Sequence, residues 1–390
     1  MKNVQLIPII TLIIGLSACN QQTDMTDLIT INVETNYPEK ELMLQDFANV
    51  EYIVLETTDE YINKGIVSGI GQNILAISNG GSDGNLFLYN RKTGKGIRKI
   101  NRKGQGGEEY NLFTEVILNE ELNEMFVVDY SGQKIMVYDL EGNFLRSFKF
   151  AKNSYYNNTF DYDSKHLLTY KGYSPHQESE NSGHILISKQ DGSIVRELNL
   201  PYQEIKTPVY TGMHEKYGEV TVSPFYYLTA CGNHEDWYIT RPSSDTLYHF
   251  QANGSLHPFI VRTPSVQHMN PEIFLFPFMI TDRYVFMQSL EKKVNKSRLS
   301  YPPIIYLGYD KEEKAIYQCT FYNADYPEKT IPFYSFPKGE VMMHLSLQAS
   351  ELTEAYQEGK LKGKLKEIAS TLNEDSNAVI VLIGSVQNIV

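Results

Sequence analysis

Short apolar runs separated by turn residues dominate the chain from residue 29 to about residue 322. Val50-Glu51-Tyr52-Ile53-Val54-Leu55 is one such run, and residues 74–78, 86–89 and 97–100 are others. Pairs such as Asn79-Gly80, Asp83-Gly84, Asp191-Gly192 and Asn253-Gly254 fall between the runs. Hairpin turns need residues that tolerate positive φ at such places, so the pattern predicts antiparallel strands joined by tight turns. The order then repeats. Residues 74–78, 86–90 and 94–100 form one set, and 125–130, 134–140 and 142–150 the next. Leu88-Tyr89-Asn90 corresponds to Val137-Tyr138-Asp139, and Gly94-Lys95-Gly96-Ile97-Arg98 to Gly142-Asn143-Phe144-Leu145-Arg146. A weaker third copy covers 184–188 and 191–196, a fourth 237–240, 246–250 and 253–255, and a fifth 284–288, 304–309 and 315–321.

Strand-only repeats at about 40–50 residues are the signature of propeller blades, which hide their faces by stacking around an axis. Five blades leave residues 29–56 and 335–390 over. One sheet built from both ends would close the ring and cover its edges. The expected fold is therefore all-β: a six-bladed β-propeller over residues 29–390, its last blade closed by N- and C-terminal strands. A β-sandwich or two-domain β arrangement is the alternative. One stretch departs from the pattern. Within residues 351–372, Leu352, Ala355, Tyr356, Leu365, Ile368 and Leu372 recur at helical spacing, with Gly359 and Gly363 weakening it. This predicts one short helical insertion ahead of a last strand at 378–383, packed on the rim; a partner-docking helix is the other reading.

The N-terminus reads differently. Met1-Lys2-Asn3 is followed by an apolar stretch over 4–15 and then Leu16-Ser17-Ala18-Cys19. A basic start, a short apolar stretch and small residues before a cleavage point make a secretory signal. Leu-Ser-Ala-Cys fits a lipobox, in which the Cys19 thiol takes a diacylglycerol before the cut. Residues 1–18 are thus expected to be a lipoprotein signal peptide and 19–28 a lipidated tether. The membrane is then a partner only through the anchor at Cys19. Asn20, rather than Asp, favours the outer membrane. An ordinary signal peptide with a coincident cysteine is the alternative.

Charge narrows the partners. The net charge is −12, which argues against nucleic acid and against anionic membrane surfaces. Besides Cys19 there are only Cys231 and Cys319, either one bridge or two separate buried thiols. No paired C-x-x-C spacing suggests zinc.

The most distinctive internal string is Lys103-Gly104-Gln105-Gly106-Gly107-Glu108-Glu109-Tyr110. It lacks the G-K-[ST] ending of a phosphate loop and carries two acids, so it reads as a glycine-rich crossover between blades. Together with Leu55-Glu56-Thr57-Thr58-Asp59-Glu60, Ile97-Arg98-Lys99-Ile100, Ile135-Met136-Val137-Tyr138-Asp139 and Asp245-Thr246-Leu247-Tyr248, it resembles the six-bladed β-propeller lipoproteins of Gram-negative gut anaerobes. The string also resembles the turn of NHL/TolB-like propellers. Where such proteins often have Gly-Pro-Gly-Glu-Tyr, this chain has Gly106-Gly107-Glu108-Glu109-Tyr110. The resemblance implies a ring and an envelope location, and no established activity.

Residue by residue, no reaction stands out. The carboxylate pairs are Asp161/Asp163, Glu108/Glu109 and Glu312/Glu313. Adjacent strand residues point to opposite faces, so only Asp161 and Asp163 would share one, at a blade edge. Neither His214-Glu215 nor His234-Glu235 extends to H-E-x-x-H, and residues 79–85 lack the calcium-loop register. No residue is assigned to catalysis, to a cofactor or to a metal. The reading is a non-enzymatic envelope lipoprotein whose propeller binds a peptide, glycan or partner protein. The alternative is a saccharide-acting hydrolase or lyase with its site on the propeller axis.

Overall fold

The computed structural model describes residues 28–384, other than 82, 173–177, 225–226, 233–235 and 333–340. The signal segment, Cys19, most of the tether and His234-Glu235 lie outside the described residues. Six small sheets form a ring. Blade 1 comprises Ile66–Ile70, Ile74–Ser78, Asn85–Asn90 and Gly96–Asn101, and blade 2 Phe113–Asn119, Glu124–Asp129, Lys134–Asp139 and Phe144–Lys149. Blade 3 comprises Tyr155–Asp161, His166–Gly172, Gly183–Ser188 and Ile194–Leu198, and blade 4 Ala230–Gly232, Asp236–Ile239, Thr246–Gln251 and Leu256–Thr263. Blade 5 comprises Ile273–Ile280, Tyr284–Glu291, Ile305–Asp310 and Ala315–Asn323. Blade 6 joins Val341–Leu347 and Val379–Gly384 to Asn49–Val54, so both ends of the chain close the ring.

The two-residue period of the strands explains the stacking. In blade 1, Leu75, Ile77, Phe87 and Tyr89 face blade 6 and pack on Ile53, Ile380 and Leu382. Their neighbours Ala76, Leu86 and Leu88 face blade 2 and pack on Val116, Met125, Val127 and Met136. The other face of blade 2, with Phe126, Val128, Ile135 and Val137, meets Leu167, Ile185 and Ile187 of blade 3. Each such valine, leucine, isoleucine, methionine or phenylalanine, once buried, contributes about 1.5–3 kcal/mol. Arginines of the outer strands or just beyond them add polar clasps. Arg102 Nε donates to Gly142 O at 2.9 Å, Arg146 Nη2 to Lys189 O at 2.7 Å and Arg196 Nη2 to Gly254 O at 2.8 Å, each reaching into the next blade.

The N-terminal lead does more than close the ring. Only Asn49–Val54 enters the closing sheet. Ile29–Asn32 pairs in parallel with the outer strand of blade 4, and Glu39–Met43 in parallel with that of blade 5. The lead thus passes along the rims of blades 4, 5 and 6 in steps of one short strand. Parallel addition covers edge strands that would otherwise be open to pairing.

The helical insertion also differs from expectation. It forms two helices, α1 (Ala349–Gln357) and α2 (Gly363–Ala369). Gly359 at φ +74° and Gly363 at φ +48° break it, left-handed positions that suit glycine. Leu352, Ala355, Leu361, Leu365 and Ala369 pack with Phe321, Val379, Val381 and Ile383, whereas Tyr356 stays 38% exposed. The insertion is therefore seated between blades 5 and 6.

Residues 103–110 form the crossover from blade 1 to blade 2. Lys103 and Tyr110 make a parallel bridge, and Tyr110, fully buried, donates its hydroxyl to Gly84 O at 2.7 Å. Gly106 N donates to Glu109 Oε2 at 2.7 Å, so the loop's own carboxylate takes a place an anion would need. Among the described residues no helix is long and apolar enough to cross a membrane.

Candidate functional site at the propeller axis

The first strands of the blades line the axis, and most of them are irregular. Register slips occur between Val67 and Gly69, Phe113 and Glu115, Asn157 and Phe160, Pro277 and Met279, and Val341 and Met343. A bulge bends its strand and re-aims side chains, so repeated bulges at the axis shape the space there. The one in blade 3 is the most distorted, with Asn158 at φ +52°. Glu115 of blade 2 holds it: its carboxylate accepts from Asn158 N at 2.9 Å and Thr159 N at 2.8 Å. Thr159 Oγ1 lies 3.0 Å from Thr169 Oγ1 on the next strand.

A cavity of about 530 Å³ opens where the first strands of blades 1 and 2 begin, on the face that carries the crossovers. Ile66, Val67, Phe160, Ile331, Leu345 and Leu347 supply apolar wall, and Tyr326 a ring. Several polar residues on that wall are engaged. Ser346 Oγ donates to Gly65 O at 2.5 Å, Asn323 Oδ1 accepts from Tyr52 OH at 2.9 Å, and Lys329 pairs with Glu351 of α1. Others have no side-chain partner among the described residues: Lys64, Thr114, Asn158, Thr330 and Gln348. Apolar walls with a few convergent polar groups are the composition of a ligand site.

A second cavity, of about 410 Å³, lies where the same first strands end, at Ile70, Asn119 and Asp161; Thr159 and Phe160 border both spaces. Its walls are charged, and most of its charged side chains are engaged. Lys189 Nζ donates to Asp161 Oδ1 at 2.5 Å and to Asp163 O at 2.6 Å. Asp163 accepts from the backbone of Lys165 and His166, each at 2.7 Å, with His166 Nδ1 at 2.8 Å. Burial pushes the Asp163 carboxyl up, but these hydrogen bonds outweigh it and hold it below the ordinary range. Glu120 accepts from the amides of Asn73 and Ile74. Asp161 and Asp163 thus meet at one cavity, each engaged in holding a turn.

The other carboxylate pairs are also structural. Glu313 bonds Lys40, and Glu109 bonds Gly106. Asp83, in the string over 79–85, accepts from Asn79 and Asn85. His214 Nδ1 accepts from the amide of Lys216 at 3.0 Å in a hairpin turn. Among the described residues no three of His, Cys, Asp and Glu converge on a metal position. Cys231 and Cys319 are two separate buried thiols, in blades 4 and 5. Burial pushes the Cys319 thiol up to about 12, and that of Cys231 higher.

Sequence reasoning missed one polar cluster between blades 3 and 4. Arg241 Nε donates to Glu178 Oε1 at 2.7 Å, and Tyr170 donates to the other oxygen; both charged side chains are almost wholly buried. His184 stands edge-on to Tyr170 at 5.0 Å with neither ring nitrogen hydrogen-bonded. Nothing in the spacing of residues 170, 178, 184 and 241 signals this meeting.

A family model for a domain of unknown function, DUF4934, matches residues 28–384. Among solved structures, a Bacteroides fragilis protein described as exported superposes with a TM-score of 0.59 at 15% identity, over 91% of this chain and 99% of that one. A DUF4221 family member from Bacteroides vulgatus gives 0.50 at 9% identity, over 87% and 98%. At these identities the likeness is one of fold. No curated protein matches the sequence.

Proposed function

The chain belongs to the DUF4934 family, and from that premise we propose that it is a non-enzymatic binding protein of the bacterial envelope that holds an apolar peptide segment of a partner protein at its axis. The observation that carries this reading is the cavity of about 530 Å³ with its apolar wall and the side chains of Lys64, Thr114, Asn158, Thr330 and Gln348, which have no partner among the described residues. Fixed blades with variable crossovers suit binding. Of the carboxylates at the two cavities, Glu115 is engaged with backbone amides and Asp161 with Lys189. An apolar wall favours a peptide over a glycan, whose hydroxyls need more polar partners.

Lipid attachment at Cys19 would place this binding ring at the outer membrane, and the exported Bacteroides neighbour is consistent with that location. The NHL-like character of residues 103–110 belongs to the same reading.

Thermal unfolding of the soluble form, residues 20–390, against peptide and glycan panels tests it. A ligand at 100 times its Kd adds about 2.7 kcal/mol. The expected result is a saturable shift with apolar peptides that Ile66→Trp removes by filling the cavity. Shifts with glycans alone, or turnover of an envelope polymer, would replace the reading.

A further inference from the structure

Of the charged side chains at the axial cavity, that of Lys64 stands apart from the others in its partners. Glu115 is occupied: its two oxygens take the amides of Asn158 and Thr159, which fixes its carboxylate against the bulge. Lys329 is matched by Glu351. Lys64 is exposed at the cavity wall with no ion pair among the described residues.

Its position is built rather than incidental. The backbone that carries it is fixed on both sides. Lys64 N donates to Asn79 Oδ1 at 2.8 Å, and Gly65 N to Asn63 Oδ1 at 2.8 Å. Asn63 in turn donates to Tyr89 OH at 2.6 Å and Tyr61 O at 2.8 Å. Gly65 sits at φ +71°, where a Cβ would lie 2.7 Å from that of Ala378, so the turn is pressed against blade 6. A rigid turn thus holds a cation at the rim of an apolar space, where weaker screening strengthens its field. The same cavity is lined by neutral donors, the amides of Asn158 and Gln348 and the hydroxyls of Thr114 and Thr330.

Resting on the binding reading above, we infer that the ligand of this cavity carries an anionic group on an apolar body, and that Lys64 meets the anion. For a peptide segment, that group is a carboxylate beside apolar side chains. The protein's net charge of −12 makes this a local preference, since the molecule as a whole repels anions.

Two fluorescent dyes test it on the full soluble ring. Anilinonaphthalene sulfonate has an apolar body and one sulfonate; N-phenyl-1-naphthylamine is its neutral counterpart. Wild type is expected to bind the anionic dye more tightly, and less so as salt rises. Lys64→Gln should weaken the anionic dye by about fivefold and leave the neutral one unchanged, and Lys64→Arg should restore it. Ile66→Trp should abolish both. If Ile66→Trp abolishes both dyes but Lys64→Gln leaves the anionic dye unchanged, the anion inference is wrong and the cavity reading stands. If both dyes still bind to Ile66→Trp, the cavity reading fails, and this inference with it.

Discussion

Lys40 Nζ lies 3.1 Å from Asp310 Oδ2, pinning the N-terminal lead to blade 5 across 270 positions of sequence. The Asp310 side chain is fully buried and also accepts from Arg283 Nη2 at 2.8 Å and from the amides of Glu312 and Glu313. Burial alone would raise its pKa; Arg283, the amides and Lys40 overcome that and hold it well below the ordinary carboxylate range. The sign follows. A depressed carboxyl stabilises the fold above its unfolded value of about 3.9, and that stability is lost as pH falls toward the native value. Asp310→Ala is expected to cost about 3 kcal/mol, because it removes from a buried site the shared acceptor of two amides and two cations, the cations keeping only Glu312 and Glu313. Lys40→Met should cost nearer ~1 kcal/mol, since Arg283 still matches the carboxylate. Urea unfolding at pH 7 measures both. Equal losses for the two variants would mean that Asp310 is not the hub.

Turn glycines of successive blades abut the preceding blade. A Cβ on Gly94 would meet Val54 O at 1.9 Å, and one on Gly192 would meet the Phe148 ring at 2.2 Å; both glycines have positive φ. Gly94→Ala is therefore expected to lose about 3 kcal/mol through overpacking and backbone strain together. Gly359, at φ +74° with open space around it, isolates the strain. Gly359→Ala should lose only about 1 kcal/mol. Similar losses at the two sites would show that crowding between blades contributes little.

His184 gives a stability change of the opposite sign. Burial, and then the Arg241 charge, push its imidazole down to about 3, so it stays neutral with both nitrogens unsatisfied. Replacing an unsatisfied buried ring by an apolar side chain, as in His184→Leu, should raise stability by about 1 kcal/mol at pH 7. An unfolded histidine gains its proton near pH 6.5, which the folded one cannot do until about 3. Wild type therefore loses stability as pH falls through that window. The advantage of the leucine variant should grow by a further ~2 kcal/mol at pH 5. Denaturant titrations at the two pH values decide it, and a gain that does not change with pH would refute the neutral-histidine account.

The ring was legible because Leu75, Ala76 and Ile77 and their counterparts Val127 and Val128 announce strands buried on both faces, and Gly94, Gly142 and Gly192 mark equivalent turns. The rim strands were not. Glu39-Lys40-Glu41-Leu42-Met43 buries little beyond Leu42 and reads as polar lead, and its parallel pairing to residues 318–322 depends on contacts remote in sequence. The one helix read over 351–372 became two because both glycines sit at left-handed φ, where their weak helix propensity becomes a break. The cavity was invisible for another reason. Its wall is assembled from separate stretches near residues 64, 115, 159, 330 and 346, and no spacing rule links them. Asp161 and Asp163 were expected to share a face and do share a cavity, but the pairing of Asp161 with Lys189 is a tertiary fact.

The two thiols offer a simple check on packing. Cys231 and Cys319 are 2% and 4% exposed, and burial raises both above the range in which a thiolate forms at neutral pH. In the soluble form lacking Cys19, neither should react with a thiol reagent within the native lifetime, and both should react at once in denaturant. Rapid labelling of one thiol in the native protein would place its blade in local exchange with an open form.

Glu115 links stability to the site. Its carboxylate is the acceptor for two amides of the blade 3 bulge, and the bulge supplies Asn158, Thr159 and Phe160 to the cavity wall. Glu115→Ala leaves both amides without that partner, an expected cost of about 2 kcal/mol. Without it, Asn158 has little reason to hold φ +52°, a conformation that costs a non-glycine residue about 1–2 kcal/mol. The bulge should relax and the cavity change shape. Glu115→Gln keeps one good acceptor and should lose roughly half as much stability. Dye binding then separates two roles. If the bulge shapes the cavity, affinity for the neutral dye falls in the order wild type, Glu115→Gln, Glu115→Ala. If Glu115 only stabilises the ring, the melting temperature falls in that order while affinity for the neutral dye stays constant.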